Sequence, residues 1–158
     1  MTLFQKISLV GLRITLGAMM FYAGITKVLD PTWSPFGYLA RAKTFPEFYT
    51  LCLDPGIIPY TTFFNAWGLT LVGAALILGF GVRIASVCGL LFMILYYFPV
   101  LEFPYVGEHA FLIDQHVIYA FGFLTLIAFG AGRVWSVFAL LLRVPVLRKM
   151  PFIAKVLE

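Results

Sequence analysis

The sequence contains few charged side chains. Only 11% of its 158 residues are Asp, Glu, Lys or Arg, whereas 62% are hydrophobic. An ordinary soluble domain has about 25% charged and about 45–50% apolar residues. A soluble chain of this size would also leave about 30% of its unfolded-state surface exposed to water. The composition therefore excludes an ordinary soluble domain and predicts an integral membrane protein.

Cysteine is also scarce, and its placement excludes several kinds of redox centre. Cys52 and Cys88 stand far apart and form no C-x-x-C pair, which argues against a dithiol centre or a zinc site. We interpret both thiols as small apolar fillers. No ligand set for a metal, haem, flavin or iron–sulfur cluster is visible, and the sequence predicts no covalent cofactor. The net charge of +4 is spread along the chain without a basic patch, so no nucleic-acid partner is predicted.

Long apolar runs are abundant, and four of them are long enough to cross a bilayer. A membrane-spanning helix needs about 20 mostly apolar residues. The four predicted spans are Ile7–Val28, Pro59–Phe80, Ile84–Leu101 and Ile113–Gly132. The sequence therefore predicts an all-α integral membrane protein, a four-transmembrane-helix bundle that forms a single membrane domain over residues 1–158. Membrane lipids are its first predicted partners.

The basic residues predict the orientation of this bundle. With four spans, both termini lie on one side, which collects seven basic residues: Lys6, Arg83, Arg133, Arg143, Arg148, Lys149 and Lys155. The other side has three, namely Lys27, Arg41 and Lys43. Since cytoplasmic loops carry an excess of Lys and Arg, we expect both termini in the cytoplasm of a prokaryotic inner membrane.

Two segments lie outside the predicted spans. Residues 30–58 contain four prolines and many aromatic side chains. We interpret this loop as two short helices at the outer interface, where Trp and Tyr settle; the alternative is a lid over a pocket. Residues 136–158 mix leucines with cations, and prolines divide them into short pieces. They predict an amphipathic segment on the cytoplasmic leaflet, or alternatively a docking site for a partner subunit.

The first span has one polar stripe. Arg13, Gly17, Met20, Gly24 and Lys27 recur at spacings of three and four, which places them on one helical face. Glycines on that face allow a neighbouring helix or a flat ligand to come close. Arg13 is costly inside a membrane unless it is paired or reaches the headgroups. Lys27 is either an interfacial cation or a functional group.

Later spans contain further polar candidates. Asn65, near the outer end of the second span, favours a hydrogen bond between helices over a ligand contact. Tyr96 is adjacent to Tyr97 near the end of the third span, where Pro99 can kink the helix and free a carbonyl group.

Asp114 and His116 begin the fourth predicted span. Asp114 fits a helix N-cap, where a carboxylate accepts backbone N–H bonds. If the helix includes both residues, they lie about 200° apart around its axis, so we do not expect a side-by-side pair. His116 shares a face with Tyr119 and is a candidate proton relay, although histidines at membrane edges are commonly structural.

The motifs together resemble the DoxX family, including the DoxD-type subunit of thiosulfate:quinone oxidoreductase. The resemblance covers residues 7–135 and rests on four stretches: Arg13, Gly17, Ala23, Gly24 and Lys27; the run WGLTLVGAALILG; Arg83; and Asp114, His116, Tyr119 and Gly130–Arg133. An acid that the family often has in the second span is Leu69 here. The aspartate that often follows the GAGR motif is absent. The resemblance implies a four-helix membrane bundle tied to redox chemistry and the quinone pool.

Two functions follow as expectations. The first is a quinone-associated membrane subunit of an oxidoreductase, acting with partner subunits that supply the electrons. Its candidate quinone or lipid pocket contains Arg13, Gly17, Gly24, Lys27, Asn65, Tyr96 and Tyr119, with His116 and Asp114 as the candidate proton relay. The alternative is a non-catalytic anchor or accessory subunit of a larger membrane complex, bound to other subunits or to copies of itself.

Overall fold

The structure is a computed structural model that describes residues 1–107 and 110–141. Over these residues the chain is helical, and its α-helices are α1 (Leu3–Val28), α2 (Phe36–Leu39), α3 (Pro46–Leu51), α4 (Ile58–Leu78), α5 (Val82–Val100), α6 (Gln115–Ala128) and α7 (Val137–Leu141). A 3-10 turn at Ala131–Arg133 follows α6. The loop before α6 contributes only isolated β-bridges.

Three of these helices are long and apolar enough to cross a membrane. They are α1, α4 and α5, with 26, 21 and 19 residues. The predicted span over 113–132 contains a shorter apolar helix, because α6 has 14 residues. At 1.5 Å per residue, α6 is about 21 Å long, whereas the hydrocarbon core is about 30 Å thick. The membrane character of the chain is confirmed, and a fourth span remains a prediction.

Helices α1, α4, α5 and α6 pack in a ring. Helix α1 packs against α4 and α6, and α5 packs against the same two helices. Their inward faces bury a shared apolar core, which includes Leu16, Met20, Leu69, Leu76 and Phe123. Neighbouring helices in the ring are antiparallel. We call the end of the ring where α1 begins the Lys6 end, and the end where α1 stops the Lys27 end.

Glycines bring α1 and α4 into close contact. A side chain at Gly24 would collide with the backbone of Thr70, and one at Gly73 would collide with the backbone of Phe21. Gly17 is less tightly packed, because a side-chain carbon there would lie 3.0 Å from Ile77. The glycines of the predicted polar stripe therefore accept a neighbouring helix, which was one of the two alternatives for them.

The segment between α1 and α4, residues 29–57, covers the C-terminal end of α5, and we call it the covering segment. Pro99 lies inside α5, and because proline has no N–H, the carbonyl of Leu95 loses its helical partner. The Tyr49 hydroxyl donates to that carbonyl at 3.0 Å, and the Tyr38 hydroxyl donates to the carbonyl of Tyr96 at 2.6 Å. The two short helices predicted for residues 30–58 are thus present, and they are hydrogen-bonded to the bundle.

The predicted amphipathic segment 136–158 lies mostly outside the described residues. Its first part forms α7, and the Phe138 N–H donates to the carbonyl of Gly79 at the end of α4. The four cations on which the amphipathic interpretation depended, Arg143, Arg148, Lys149 and Lys155, are in the part that the structure does not describe.

Candidate functional site

A cavity of about 450 Å³ opens at the Lys27 end of the bundle. Helices α1, α4, α5 and α6 all contribute to it, and so does the segment that follows α1. The lining residues are Lys27, Trp33, Ser34, Pro35, Tyr38, Leu39, Asn65, Tyr96, Val100, Gln115 and His116. Its walls are mainly apolar and aromatic, with a few convergent polar groups, which is the usual composition of a small-molecule site.

Lys27 is the central cation of this cavity. Its Nζ donates to Asn65 Oδ1 at 2.9 Å and lies 4.6 Å from the centroid of the Trp33 ring. The Tyr96 ring centroid is 5.6 Å from the same nitrogen. The predicted hydrogen bond of Asn65 between helices is confirmed, because it joins α4 to α1. Lys27 therefore joins two helices and the covering segment at one point.

Asp114 caps α6 as predicted. Its backbone is extended, and Oδ1 accepts from the N–H groups of His116 and Val117 at 2.9 and 3.3 Å. These are two of the donors that have no partner within the first turn of a helix. The cap fixes the start of α6 at Gln115.

The expectation that Asp114 and His116 are not neighbours was wrong. Asp114 Oδ2 lies 2.5 Å from His116 Nδ1. A separation of about 200° requires helical backbone at both positions, but Asp114 precedes the helix and has φ −121° and ψ −171°. The carboxylate can therefore fold back over the first turn. Because Nδ1 is occupied, the other ring nitrogen, Nε2, is the atom of His116 left for chemistry in the cavity.

Tyr96 lies between the other aromatic groups of the site. Its ring makes edge contacts with Tyr38 at 6.1 Å and with His116 at 6.2 Å between centroids. Its hydroxyl oxygen is buried close to Asn65 but lacks a hydrogen bond of good geometry within the described part of the chain. A buried hydroxyl without a partner is costly, and this one belongs to a residue that lines the cavity.

Tyr38, in the covering segment, keeps its proton. Although the residue as a whole is exposed, burial of the hydroxyl, together with the smaller effects of the nearby Tyr49 and Asp114, raises its pKa to about 12. At neutral pH the hydroxyl therefore remains a donor to the Tyr96 carbonyl. This bond holds the covering segment over the cavity.

Arg13 is not in this cavity, which corrects the predicted grouping. Its side chain is 1% exposed, and its guanidinium donates to the carbonyls of Ala131, Val134 and Trp135 at 2.7 to 2.9 Å. Arg13 and Lys27 share a helical face, but 14 residues separate them by about 21 Å along the axis. Arg13 therefore binds the turn after α6, toward the Lys6 end.

The cavity brings together only part of the predicted site. Lys27, Asn65, Tyr96 and His116 line it, and Asp114 holds His116. Gly17 and Gly24 contact α4 instead, and Tyr119 packs against the apolar core. Sequence reasoning missed Trp33 as a site residue. The available signal was an aromatic, proline-rich segment directly after Lys27, which also permitted the alternative of a lid.

The site offers hydrogen bonds, charge and aromatic surface. Within residues 1–107 and 110–141, no three His, Cys, Asp or Glu side chains lie close enough together to hold a metal ion. The usable groups are the ammonium of Lys27, the amide of Asn65, the Tyr96 hydroxyl and the imidazole of His116. A planar ring with oxygen substituents fits this set, because aromatic walls contact its faces and the polar groups reach its edge.

Comparison with known proteins gives one match. The family model described as DoxX matches residues 8–101, which is more than half of the chain. The matched region contains most of α1 and all of α4 and α5, together with Lys27, Asn65 and Tyr96, and it ends before Asp114 and His116. No curated protein and no solved structure matches the chain.

Proposed function

The chain belongs to the DoxX family of membrane proteins, and on that premise we propose that it is a quinone-associated subunit of a membrane redox complex. In this proposal the cavity at the Lys27 end receives the quinone head group, and partner subunits supply the electrons. The resemblance of the motifs to the DoxD-type subunit of thiosulfate:quinone oxidoreductase makes an oxidoreductase complex of that kind the first one to test.

The observation that carries the proposal is the cavity itself. Hydrogen-bonding groups from α1, α4, α5 and α6 converge there beside the rings of Trp33 and Tyr96. The cavity volume of about 450 Å³ also lies within the range of about 300–1,000 Å³ that is usual for ligand pockets.

Each polar group has a role in the proposal. Lys27 donates to one carbonyl oxygen of the quinone ring. The Asn65 carbonyl oxygen already accepts from Lys27, so its NH₂ group is the part left to bind a ligand. His116, oriented by Asp114 through Nδ1, exchanges a proton at Nε2 when the ring is reduced or oxidised. The bound quinone supplies the electron-accepting chemistry.

The proposed setting is the prokaryotic cytoplasmic membrane. The excess of basic residues that the sequence predicts on the side of the two termini supports cytoplasmic termini. The cavity then lies near the outer surface, with Trp33 and Tyr38 of the covering segment in its lining.

Quinone content tests the proposal. The full chain would be purified in mild detergent from native membranes, and its extracted quinone would be measured per mole of protein. We expect about one quinone or less per chain in the wild type and a several-fold loss in Lys27→Ala and His116→Ala. Lys6→Ala, in the same helix but at the other end, is the control and should keep its quinone. Wild-type protein without quinone would refute the proposal.

A second function is favoured by a specific observation. Arg13, Gly17 and Gly24, which are prominent among the family-like residues, are used for packing within the bundle. This supports the alternative of an anchor or accessory subunit without chemistry of its own. Co-purification after cross-linking separates the two: an anchor binds its partner equally well as wild type and as Lys27→Ala, and loses no complex activity with that substitution.

A further inference from the structure

The cavity at the Lys27 end contains a positive charge, and among the residues that the structure describes this charge has no close counter-ion. The ammonium of Lys27 contacts the neutral Asn65 and the faces of Trp33 and Tyr96. No carboxylate oxygen within residues 1–107 and 110–141 lies within 4.0 Å of its Nζ. Amide dipoles and aromatic faces stabilise a cation less than a nearby anion does, because the attraction between two full charges is stronger than that between a charge and a dipole or an aromatic ring.

Asp114, the carboxylate beside the cavity, is already occupied. One of its oxygens accepts from two backbone N–H groups of α6, and the other lies 2.5 Å from His116 Nδ1. Its charge therefore stabilises the helix start and the imidazole ring. The interior of the site, as the described residues form it, is positive at Lys27 and has no anion placed to neutralise it.

We propose that this cavity binds the reduced, anionic form of its quinone more tightly than the neutral oxidised form, with the anionic oxygen at Lys27. The inference rests on the proposed quinone function and adds to it which redox form of the quinone the site favours. One electron added to the neutral ring gives the radical anion, and no bond is formed or broken. The electron comes from a one-electron donor, which is a partner redox subunit in the membrane and a low-potential mediator in the experiment.

A preference of this kind changes the redox behaviour of the bound quinone. A ligand shifts an equilibrium only by its differential affinity for the two states, and a site that favours the anion makes reduction of its quinone easier. The chain would then act as an electron-accepting site, holding the partly reduced quinone beside His116 until a proton arrives at Nε2.

The sharpest variant leaves Lys27 in place. Asn65→Asp puts a carboxylate oxygen where Asn65 Oδ1 now lies, 2.9 Å from Nζ, and so neutralises the cation with almost no change of shape. Lys27→Met removes the charge by a different route, Lys27→Arg keeps it, and Lys6→Met removes a cation at the other end of α1. Thermal unfolding in detergent identifies any variant that fails to fold, so two independent charge-neutralising variants remain available.

The measurement is a redox titration of a short-tailed ubiquinone bound to the full chain in lipid nanodiscs. The amount of bound radical anion is monitored through the semiquinone radical signal. We expect wild type, Lys27→Arg and Lys6→Met to bind the anion at least about tenfold more tightly than the oxidised ring. For one electron, tenfold corresponds to a shift of about 59 mV. Asn65→Asp and Lys27→Met should lose this preference, which is the ratio of the two affinities, although both variants bind oxidised quinone several-fold more weakly than wild type does.

Two results would overturn the inference in distinguishable ways. If wild type binds oxidised and reduced quinone equally, or if Asn65→Asp retains the preference, the charge of Lys27 does not select the anion and the quinone function itself stands. If neither form of the quinone binds to the wild type, the proposed function fails and this inference fails with it.

Discussion

At the scale of single residues, two cations of α1 have different tasks although they share a helical face. Arg13 is buried and bonded to three backbone carbonyls, whereas Lys27 lines a cavity and has only neutral contacts within the described part of the chain. The ends of α4 and α6 lie near Arg13, and the negative ends of helix dipoles favour a cation there. Arg13 is therefore explained by structure, and Lys27 is the residue left for function.

Replacement of Arg13 should destabilise the protein. Arg13→Met leaves the carbonyls of Ala131, Val134 and Trp135 without their donor, and an unsatisfied buried polar group costs about 1–3 kcal/mol. We expect a loss of about 3 kcal/mol or more in the free energy of unfolding, measured by denaturation in mixed micelles. Arg13→Lys should lose less, because an ammonium still donates but cannot reproduce the planar fork.

Arg83 supplies the control for this prediction. It lies at the Lys6 end as well but is only half-buried, so Arg83→Met should change the stability by less than about 0.5 kcal/mol. Equal losses for Arg13→Met and Arg83→Met would mean that the three carbonyl bonds of Arg13 contribute nothing particular to the fold.

At the scale of helices, the contact between α1 and α4 depends on small side chains. Gly24 lies against Thr70, and even one added carbon would lie 2.5 Å from Thr70 Oγ1 and 2.9 Å from the carbonyl oxygen of Ala66. Lys27 and Asn65 are one turn beyond this contact, and so the separation of the two helices also sets the geometry of the cavity.

Gly24→Ala should therefore separate α1 from α4. Overpacking of this kind typically costs about 1–3 kcal/mol, measured as a decrease in the free energy of unfolding. Gly11→Ala is a matched control in the same helix, since nothing lies within 4 Å of a side chain added there. That control should be neutral or slightly stabilising, because alanine favours helix more than glycine does. Similar losses for both variants would contradict the close contact at Gly24.

At the scale of the whole molecule, the sequence predicted the helices better than the site. Composition and apolar runs located α1, α4 and α5 to within about four residues, because length and hydropathy decide a membrane helix. The polar stripe of α1 showed that Arg13 and Lys27 share a helical face. It gave no weight to their separation along the helix axis, and so the two residues were wrongly assigned to one site. The Asp114–His116 pair was missed because the helical angle does not apply to a cap residue. The position of Trp33 in the site depends on the path of the loop after α1, which local sequence patterns do not predict.

The last prediction concerns the position of α6 in the membrane. Its 14 residues are few for a membrane span. The two ends of α6 nevertheless lie at opposite ends of the bundle. Arg13 donates to the turn that follows α6, and His116, in the first turn of α6, lines the cavity at the Lys27 end. Helix α6 therefore extends along the part of α1 that lies between Arg13 and Lys27. In a chain with Cys52→Ser and Cys88→Ala, Phe111→Cys should react with an impermeant maleimide in intact cells, and Trp135→Cys only after permeabilisation. If both positions react from the same side, α6 does not cross and the four-span arrangement is wrong.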